Sequence, residues 1–298
     1  MAIGDIILAQ KFVDIRTKVN TILASGSGTS GYGQTMTSTN VSATQGINAL
    51  EWDKLREDID RAYQHQNGST STIVNVGQGD LIYWAYAVQY DTLADNITTN
   101  KDSVYTGATV GVYTEQVSST DNSTTLGAGW GVNTANQRVA TQQYNVVWSS
   151  ADQARYFFNS GGYLRIFCST GGTAVTTKDT GWQGVVANLN TQAYTFDAAK
   201  YRLGVAATQT IWSYTKNDTT NPYTENYGLI KFVFTNAFTI QVTVQLVDAD
   251  AGDQTGIGPA VDETVAITVT AGLRRRQSKN AVVVETPTYT VPAWTLAA

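Results

Sequence analysis

Apolar residues in the first 24 positions recur with the spacing of an amphipathic helix. They step by four, three, four and three positions, which places them in one stripe along a helix. The stripe consists of Leu8, Phe12, Ile15, Val19 and Ile22. The glycine-rich run Ser25–Gln34 is expected to end the helix. Tyr32 within this run is expected to anchor the loop by burying its ring.

A second amphipathic helix is predicted to begin near Asn48. Asn48 and Glu51 have the spacing of a capping box, and Asn67–Gly68 supplies the stop signal. The apolar stripe of this helix consists of Trp52, Leu55, Ile59 and Ala62. Because two short helices bury little surface by themselves, we predict that the large residues of both stripes are docking or oligomer contacts. They would be buried on the β-rich remainder of the chain or on other copies of it.

From about residue 73 the pattern changes to short apolar runs separated by turn residues. One run, Phe238–Leu246, alternates apolar and polar residues, as in a strand with one buried face. Another, Leu81–Val88, fits a strand or a short buried helix equally well. Tyr194–Gly204 is compatible with a short helix. The predicted strands are Gln142–Trp148, Tyr156–Phe158, Tyr163–Cys168, Leu229–Phe234, Phe238–Val247, Glu263–Val269, Ala281–Val284 and Tyr289–Val291.

Tyr156–Cys168 is predicted to be the central β-hairpin of this region. Two runs rich in aromatic residues, Tyr156–Phe158 and Tyr163–Phe167, flank the turn-forming segment Asn159–Gly162. Glycine reaches positive φ without a steric clash, so this arrangement is typical of a tight turn between paired strands. Core packing is the role expected of these aromatic side chains.

Together these patterns predict a mainly β protein with a small N-terminal α-helical module. The β region is expected to be an antiparallel β-sandwich or jelly-roll-like body, because many short strands alternate with turns rich in Gly, Asn, Asp and Ser. We assign residues 1–72 to a helical docking module and residues 73–298 to the β-sandwich body. One sandwich and two smaller lobes are both compatible with the pattern.

The 298-residue chain carries few charges, at 14% of its residues against about 25% in a typical soluble domain. Such a surface suits a β-protein that is packed into an assembly. The net charge of −5 argues against a nucleic-acid partner, since that binding relies on Lys and Arg. The single cysteine excludes an internal disulfide framework. No run approaches the ~18–20 apolar residues of a membrane span, and no secretory signal is evident.

Several short phrases of the chain form a distinctive combination. They are Gly4–Ile7, Val19–Leu23, Gly26–Gly28, Gly31–Gln34, Trp52–Ile59, His65–Gly68 and Phe157–Gly162, with Trp182 following. In combination they resemble virion structural proteins of tailed phages, particularly contractile-tailed phages that infect marine cyanobacteria. The resemblance covers residues 4–68 and 156–182 and otherwise rests on β-rich character. It implies a place in the particle, at the neck, the tail or an attached fibre, and it carries no residue-level function.

Asp248, Asp250 and Asp253 are the best metal candidates in the sequence. Alternating carboxylates near a glycine can wrap a hard cation such as Ca²⁺. However, Gly252 and Pro259 stand where a calcium loop requires its fifth-position ligand and its twelfth-position Glu. A solvated turn is therefore the simpler interpretation, and we expect neither a metal nor another cofactor.

The basic run Arg274–Arg276 is exceptional in an acidic chain. Clustered guanidinium groups are a candidate contact for an acidic partner or a phosphate. The simpler interpretations are a solvated loop or a contact between subunits.

No catalytic constellation is evident around the reactive residue types. His65, the only histidine, lies near the end of the second predicted helix, where a protonated imidazole interacts favourably with the helix dipole. The sequence lacks the GxSxG elbow of a serine hydrolase. Cys168 ends a dense apolar run and is expected to be a buried small hydrophobe rather than a nucleophile.

The function that we expect is structural: a non-enzymatic virion component whose helical module docks onto the particle or onto its own copies. Its expected partners are other virion proteins and further copies in a homo-oligomer. The alternative is a host-recognition module that binds cell-surface glycan, with Trp130, Trp148 and Trp212 as candidate stacking residues, although core placement is the simpler interpretation of each. A glycan-cleaving enzyme is a third class, but the sequence does not single out its paired carboxylates.

Overall fold

The computed structural model describes residues 2–42, 46–105, 116–117, 121–127, 138–191, 195–204, 210–220, 223–249, 265–278, 281–291 and 293–297. The chain forms two compact units. The helical unit comprises Met1–Thr114, Ser150–Gly162 and Arg276–Thr286, and the β unit comprises Glu115–Ser149, Tyr163–Arg275 and Pro287–Ala298. This division does not follow the predicted boundary at residue 72, since the helical unit includes three later parts of the chain.

The order of helices and strands confirms the predicted class, a helical N-terminal part with a mainly β body. The helices are α1 (Ala2–Leu23), α2 (Ala49–Asn67), α3 (Trp84–Thr99), α4 (Ala151–Asn159), α5 (Thr177–Leu189) and α6 (Ala198–Gly204). The strands are β1 (Gln116–Val117), β2 (Asn122–Thr125), β3 (Arg138–Val147), β4 (Tyr163–Gly171), β5 (Thr210–Asn217), β6 (Tyr227–Asn236), β7 (Thr239–Asp248), β8 (Thr268–Arg276), β9 (Thr288–Thr290) and β10 (Thr295–Ala297).

Trp52 is the central residue of the helical unit. Helices α1, α2 and α3 pack on one another, and each contributes one ring to a row of three. The Trp52 indole meets Phe12 of α1 edge-on at 5.3 Å between ring centroids, and Tyr90 of α3 at 5.2 Å. All three side chains are fully buried. Edge-on aromatic pairs add about 0.5–1.5 kcal/mol each beyond simple burial, so this row joins all three helices.

The apolar stripes of α1 and α2 form the core of this three-helix unit. Their buried members are Phe12, Ile15, Val19, Ile22, Trp52, Leu55 and Ile59, each at most 1% exposed. The prediction that these residues are docking or oligomer contacts is therefore wrong. It fails because α3 supplies a third apolar face, consisting of Ala87, Tyr90, Ala94 and Ile97. The side chain of Leu8 lies outside the described residues.

Polar side chains fix the start of α2 and the segment that precedes it. Asn48 accepts a hydrogen bond from the backbone N–H of Glu51 at 3.0 Å, and the Glu51 carboxylate accepts one from Asn48 at 3.1 Å. The predicted capping box is confirmed. The buried carboxylate of Asp58 accepts the backbone N–H groups of Thr37 and Ser38, which ties residues 37–38 to the side of α2.

Side-chain donors bind the backbone carbonyl groups of the glycine-rich loop after α1. Tyr32 is buried as expected, and its hydroxyl donates to the carbonyl of Lys101 at 2.7 Å. Arg155 donates to the carbonyls of Ser25 and Ser30, each at 2.7 Å. Asn159 donates to the Ser30 carbonyl at 3.1 Å. Because carbonyl oxygens face these donors, this side of the loop has the wrong polarity to cradle a phosphate.

The predicted hairpin Tyr156–Cys168 is wrong. Tyr156–Asn159 is the last turn of helix α4, and only the second arm is a strand, β4. Ser150 caps α4 by accepting the backbone N–H of Gln153 at 3.2 Å. The helix cap at Ser150 thus favours a helix over Tyr156–Phe158, where the run of aromatic residues had predicted a strand.

The β unit contains two sheets. In the described part of the chain, the first has the order β1-β8-β2, with β4 also paired to β8. The second has the order β10-β3-β7-β6-β5, with β9 also paired to β3. β6 and β7 form the long antiparallel hairpin of this unit, and β7 continues into full register with β3. This pairing confirms an antiparallel β-rich body.

Phe196 links the two sheets of the β unit. Its backbone pairs with that of Leu164 in β4, and its ring stacks on Phe232 of β6 at 4.8 Å. Helix α5 contacts β4 of the first sheet and β6 of the second. These contacts join the two sheets through shared packing, which is consistent with the predicted β-sandwich body.

Most predicted strands are confirmed. Strands β3, β4, β6, β7 and β9 overlap their predicted positions, and the predicted short helix near residue 200 corresponds to α6. The predicted strand Glu263–Val269 is corrected, because β8 begins only at Thr268. Ala281–Val284 is not a strand, and helix α5 was not predicted.

We expect Trp52→Ala to lower the free energy of unfolding of the helical unit by about 3–5 kcal/mol, because it leaves a cavity between three helices. The measurement is denaturant unfolding followed by far-ultraviolet circular dichroism. Glu57→Ala, at an exposed position of the same helix, is the matched control and is expected to change stability by less than about 0.5 kcal/mol. Equal effects of the two substitutions would contradict the central role of Trp52.

Candidate functional site

Arg274 and Arg275 are engaged within the β unit. Arg274 pairs with Asp121 through two hydrogen bonds, at 2.6 and 2.8 Å, and its guanidinium lies 4.3 Å from the ring centroid of Phe167. Arg275 donates to the hydroxyl of Tyr289 at 3.1 Å. Both arginines are only 9% exposed. These contacts correct the hypothesis that the run faces an acidic partner, and Arg276 also has a partner within the chain.

Asp248 is part of a buried ion pair. Its carboxylate lies 2.9 Å from the ammonium of Lys178, and both side chains are almost inaccessible. The ammonium therefore balances the charge of this carboxylate, and Asp248 is buried instead of lying in the solvated turn that is the simpler interpretation of the sequence. Asp250 and Asp253 lie outside the described residues. Within the described ranges, no group of three or more His, Cys, Asp or Glu side chains is placed to hold a metal.

His65 lies in the last turn of α2 but is buried. Its Nδ1 is 3.2 Å from the hydroxyl of Ser278, and its ring packs edge-on against Tyr32. Burial lowers the pKa of His65 to about 4, and a contact with the backbone of Ser160 offsets this only in part. The imidazole is therefore neutral near pH 7. The predicted role as a protonated partner of the helix dipole is wrong.

Neither the hydroxyl of Ser278 nor the thiol of Cys168 is activated for nucleophilic chemistry. The hydroxyl of Ser278 donates to the carbonyl of Val282 at 2.5 Å, so its proton is directed away from His65. The contacts described for His65 include no carboxylate that would orient the imidazole. Cys168 is buried as predicted, and burial raises the pKa of its thiol to about 12. A thiol with so high a pKa is inert at neutral pH.

The tryptophans that were candidates for sugar stacking do not form a described surface. Trp148 is 1% exposed, so it is a core residue. Trp130 and the side chain of Trp212 lie outside the described residues.

The helical unit instead exposes a group of large apolar side chains, here called the apolar patch. Its members are 37–70% exposed: Leu50, Val74, Leu81, Tyr83, Trp84 and Val88. Trp84 and Val88 are one turn apart on α3 and therefore share a helix face. Tyr83 immediately precedes α3, and its ring meets Tyr86 edge-on at 5.4 Å.

A groove lies between the start of α2 and the segment that leads into α3, and two members of the apolar patch, Leu50 and Leu81, line it. One recess of about 520 Å³ is lined by Leu50 and by residues 75–79, among others. A second, of about 480 Å³, is lined by Leu81 and Ile82 and by residues 46–49. The two recesses share Asn48, Ala49 and Gly79, so they form one continuous depression.

The charged groups of this groove are already engaged. Asp53 lines one recess and pairs with Arg56 at 2.8 Å on the same helix. Asp80 lines the other, and one of its carboxylate oxygens accepts the backbone N–H of Gly77 at 2.7 Å. The groove therefore combines apolar side chains with polar groups, a mixed surface of the kind found in protein interfaces.

Sequence reasoning missed this surface, although a signal existed. The buried residues of α3 step by three, four and three positions, from Ala87 through Tyr90 and Ala94 to Ile97. That spacing places Trp84 and Val88 on another face of the same helix. Leu81–Val88 was interpreted only as a strand or a buried helix, so the exposed face was not anticipated.

Comparison with known proteins gives no significant match to any family model, curated protein or solved structure. None of the described helices is long and apolar enough to span a membrane.

We expect the helical unit to lose stability as the pH falls from about 6.5 towards 4. Above this window His65 is neutral in both states. Between pH 6.5 and 4, His65 is protonated in the unfolded chain but stays neutral in the folded unit. Below pH 4 it is protonated in both states, and the loss of unfolding free energy has reached its full value. The shift to about 4 corresponds to roughly 3 kcal/mol of unfolding free energy.

The measurement is urea unfolding at a series of pH values, with His65→Gln as the control. The variant is expected to show a smaller dependence on pH across this window, because it lacks the titrating imidazole. An identical pH profile for the two proteins would contradict the role of His65.

Proposed function

We propose that this protein is a non-enzymatic structural component of a tailed phage virion, at the neck, the tail or an attached fibre, and that it assembles as a homo-oligomer. The observation that carries the assembly part is the apolar patch. The helices complete their own core, and yet six large apolar side chains remain exposed on adjoining segments. Patches of this kind mark protein interaction sites.

Two further observations support the structural class. The resemblance of residues 4–68 and 156–182 to virion proteins is the reason for the place in the particle. In addition, the only histidine and the only cysteine of the sequence, His65 and Cys168, are buried and unactivated. The arginines that were candidates for ligand binding serve packing instead.

Immunogold electron microscopy of purified particles from the source of this chain tests the virion assignment. We expect antibodies against the chain to label particles at one fixed position, at the neck, the tail or a fibre. Particles lacking the tail are the matched control, and labelling that is absent from intact particles would contradict the proposal.

A host-recognition module that binds cell-surface glycan is the second candidate. Tyr83 and Trp84 are more than half exposed beside a groove with polar groups, among them Asn75 and Gln78. Aromatic faces beside a few fixed polar groups are a common arrangement in ligand sites. The location differs from the expectation, because this candidate lies in the helical unit rather than in the β-sandwich.

A glycan array with the full-length chain separates the two candidates. For a glycan-binding module, Trp84→Ala should reduce binding at least about tenfold, which corresponds to the loss of one stacking contact. Phe238→Ala, at an exposed aromatic position of the β unit, should leave binding unchanged. If the role is only structural, neither the natural chain nor the Trp84→Ala and Phe238→Ala variants should bind any glycan on the array.

A further inference from the structure

We propose that the apolar patch is the contact between two copies of this chain, related by a twofold axis. This inference rests on the homo-oligomer part of the proposed function and adds the location of the contact. In such an isologous contact the same surface is used on both copies, so it must be complementary to itself.

The size of the apolar patch fits one protein interface. Six side chains at 37–70% exposure present roughly 500 Å² of apolar surface, if each fully exposed side chain offers about 150–200 Å². A standard interface buries about 800 Å² per partner, of which about 60% is apolar, again roughly 500 Å². The patch therefore has the area of an interface core, which a single bound side chain or a small ligand would leave largely uncovered.

The shape of the apolar patch provides both halves of a contact. Leu81 and Leu50 are 70% and 60% exposed, so they project from the surface. The same two residues border the recesses of about 480 and 520 Å³. Projecting side chains and recesses therefore lie side by side on one surface. A twofold rotation can therefore place the projecting residues of each copy into the recesses of the other.

Charge restricts how two identical copies can meet. The carboxylate of Asp53 is paired with Arg56, and one oxygen of Asp80 accepts a backbone hydrogen bond. Like charges that face each other across an interface are costly, and Asp80 has no cationic partner among its described contacts, so the contact must hold the two Asp80 side chains apart.

Cross-linking at a single introduced cysteine tests this contact. Cys168 is the only natural cysteine, and its buried thiol does not react under native conditions. Leu81→Cys therefore provides one reactive thiol at the most exposed member of the apolar patch. Val175→Cys, at an 80% exposed position of the β unit, is the matched control. Both full-length variants are treated with a short-spacer bismaleimide and analysed on a denaturing gel.

We expect a covalent dimer for Leu81→Cys and none for Val175→Cys or the natural chain. The complementary measurement is sedimentation velocity over a dilution series. Leu81→Glu and Trp84→Glu should each raise the dissociation constant of self-association by about 100-fold, as expected for a charge placed in an interface core. Val175→Glu should leave it unchanged.

The outcomes separate this inference from the proposed function. If the natural chain self-associates but Leu81→Glu and Trp84→Glu do not weaken it, the contact lies elsewhere and this inference is overturned, while the homo-oligomer stands. If the natural chain is a monomer at every concentration, both the contact and the homo-oligomer are overturned. Circular dichroism of each variant verifies that the helical unit is folded.

Discussion

The helical unit depends on the contact that Trp52 makes with Phe12 on one side and Tyr90 on the other. Two amphipathic helices of this length cannot hide their apolar stripes from water, because each offers only one face to the other. The third helix solves this problem within the chain. Because Tyr90 of the third helix covers Trp52, the apolar stripes are buried and cannot dock onto another protein. Any assembly must therefore use residues that are exposed on the surface of the helical unit.

Polar contacts between distant parts of the sequence complete the same unit. Asn159 and Arg155 bind carbonyls of the glycine-rich loop some 125–131 positions earlier, and Ser278 meets His65 across 213 positions. Because these partners come from separate stretches of chain, the helical unit is not an independent N-terminal segment. Removing residues 150–162 or 276–286 would leave buried donors and acceptors unsatisfied, which costs more than the bonds themselves contribute.

The sequence predicted those features that local rules decide. The capping box at Asn48 and the spacing of the buried stripes established α1 and α2, and period-two alternation established β7. The burial of individual side chains and the partners of charged residues depend on tertiary packing, so local sequence rules did not predict them. Leu50 and Leu55 are the same residue type on one helix, yet one is 60% exposed and the other is fully buried. The charges of Asp248 and Arg274 likewise suggested binding, but their partners Lys178 and Asp121 are 70 and 153 positions away.

Whether an exposed apolar residue indicates a contact site depends on the residues around it. Val175 is 80% exposed, more than any member of the apolar patch, but single exposed apolar residues are common on soluble proteins. Leu81 is distinguished by its surroundings, because Tyr83 and Trp84 follow it and a recess adjoins it. Full burial of such a side chain is worth about 1.5–3 kcal/mol, so each of these partly exposed residues forgoes a fraction of that, and a partner regains a useful amount only by covering several of them together. Continuity, rather than exposure, therefore identifies this surface as a place of contact.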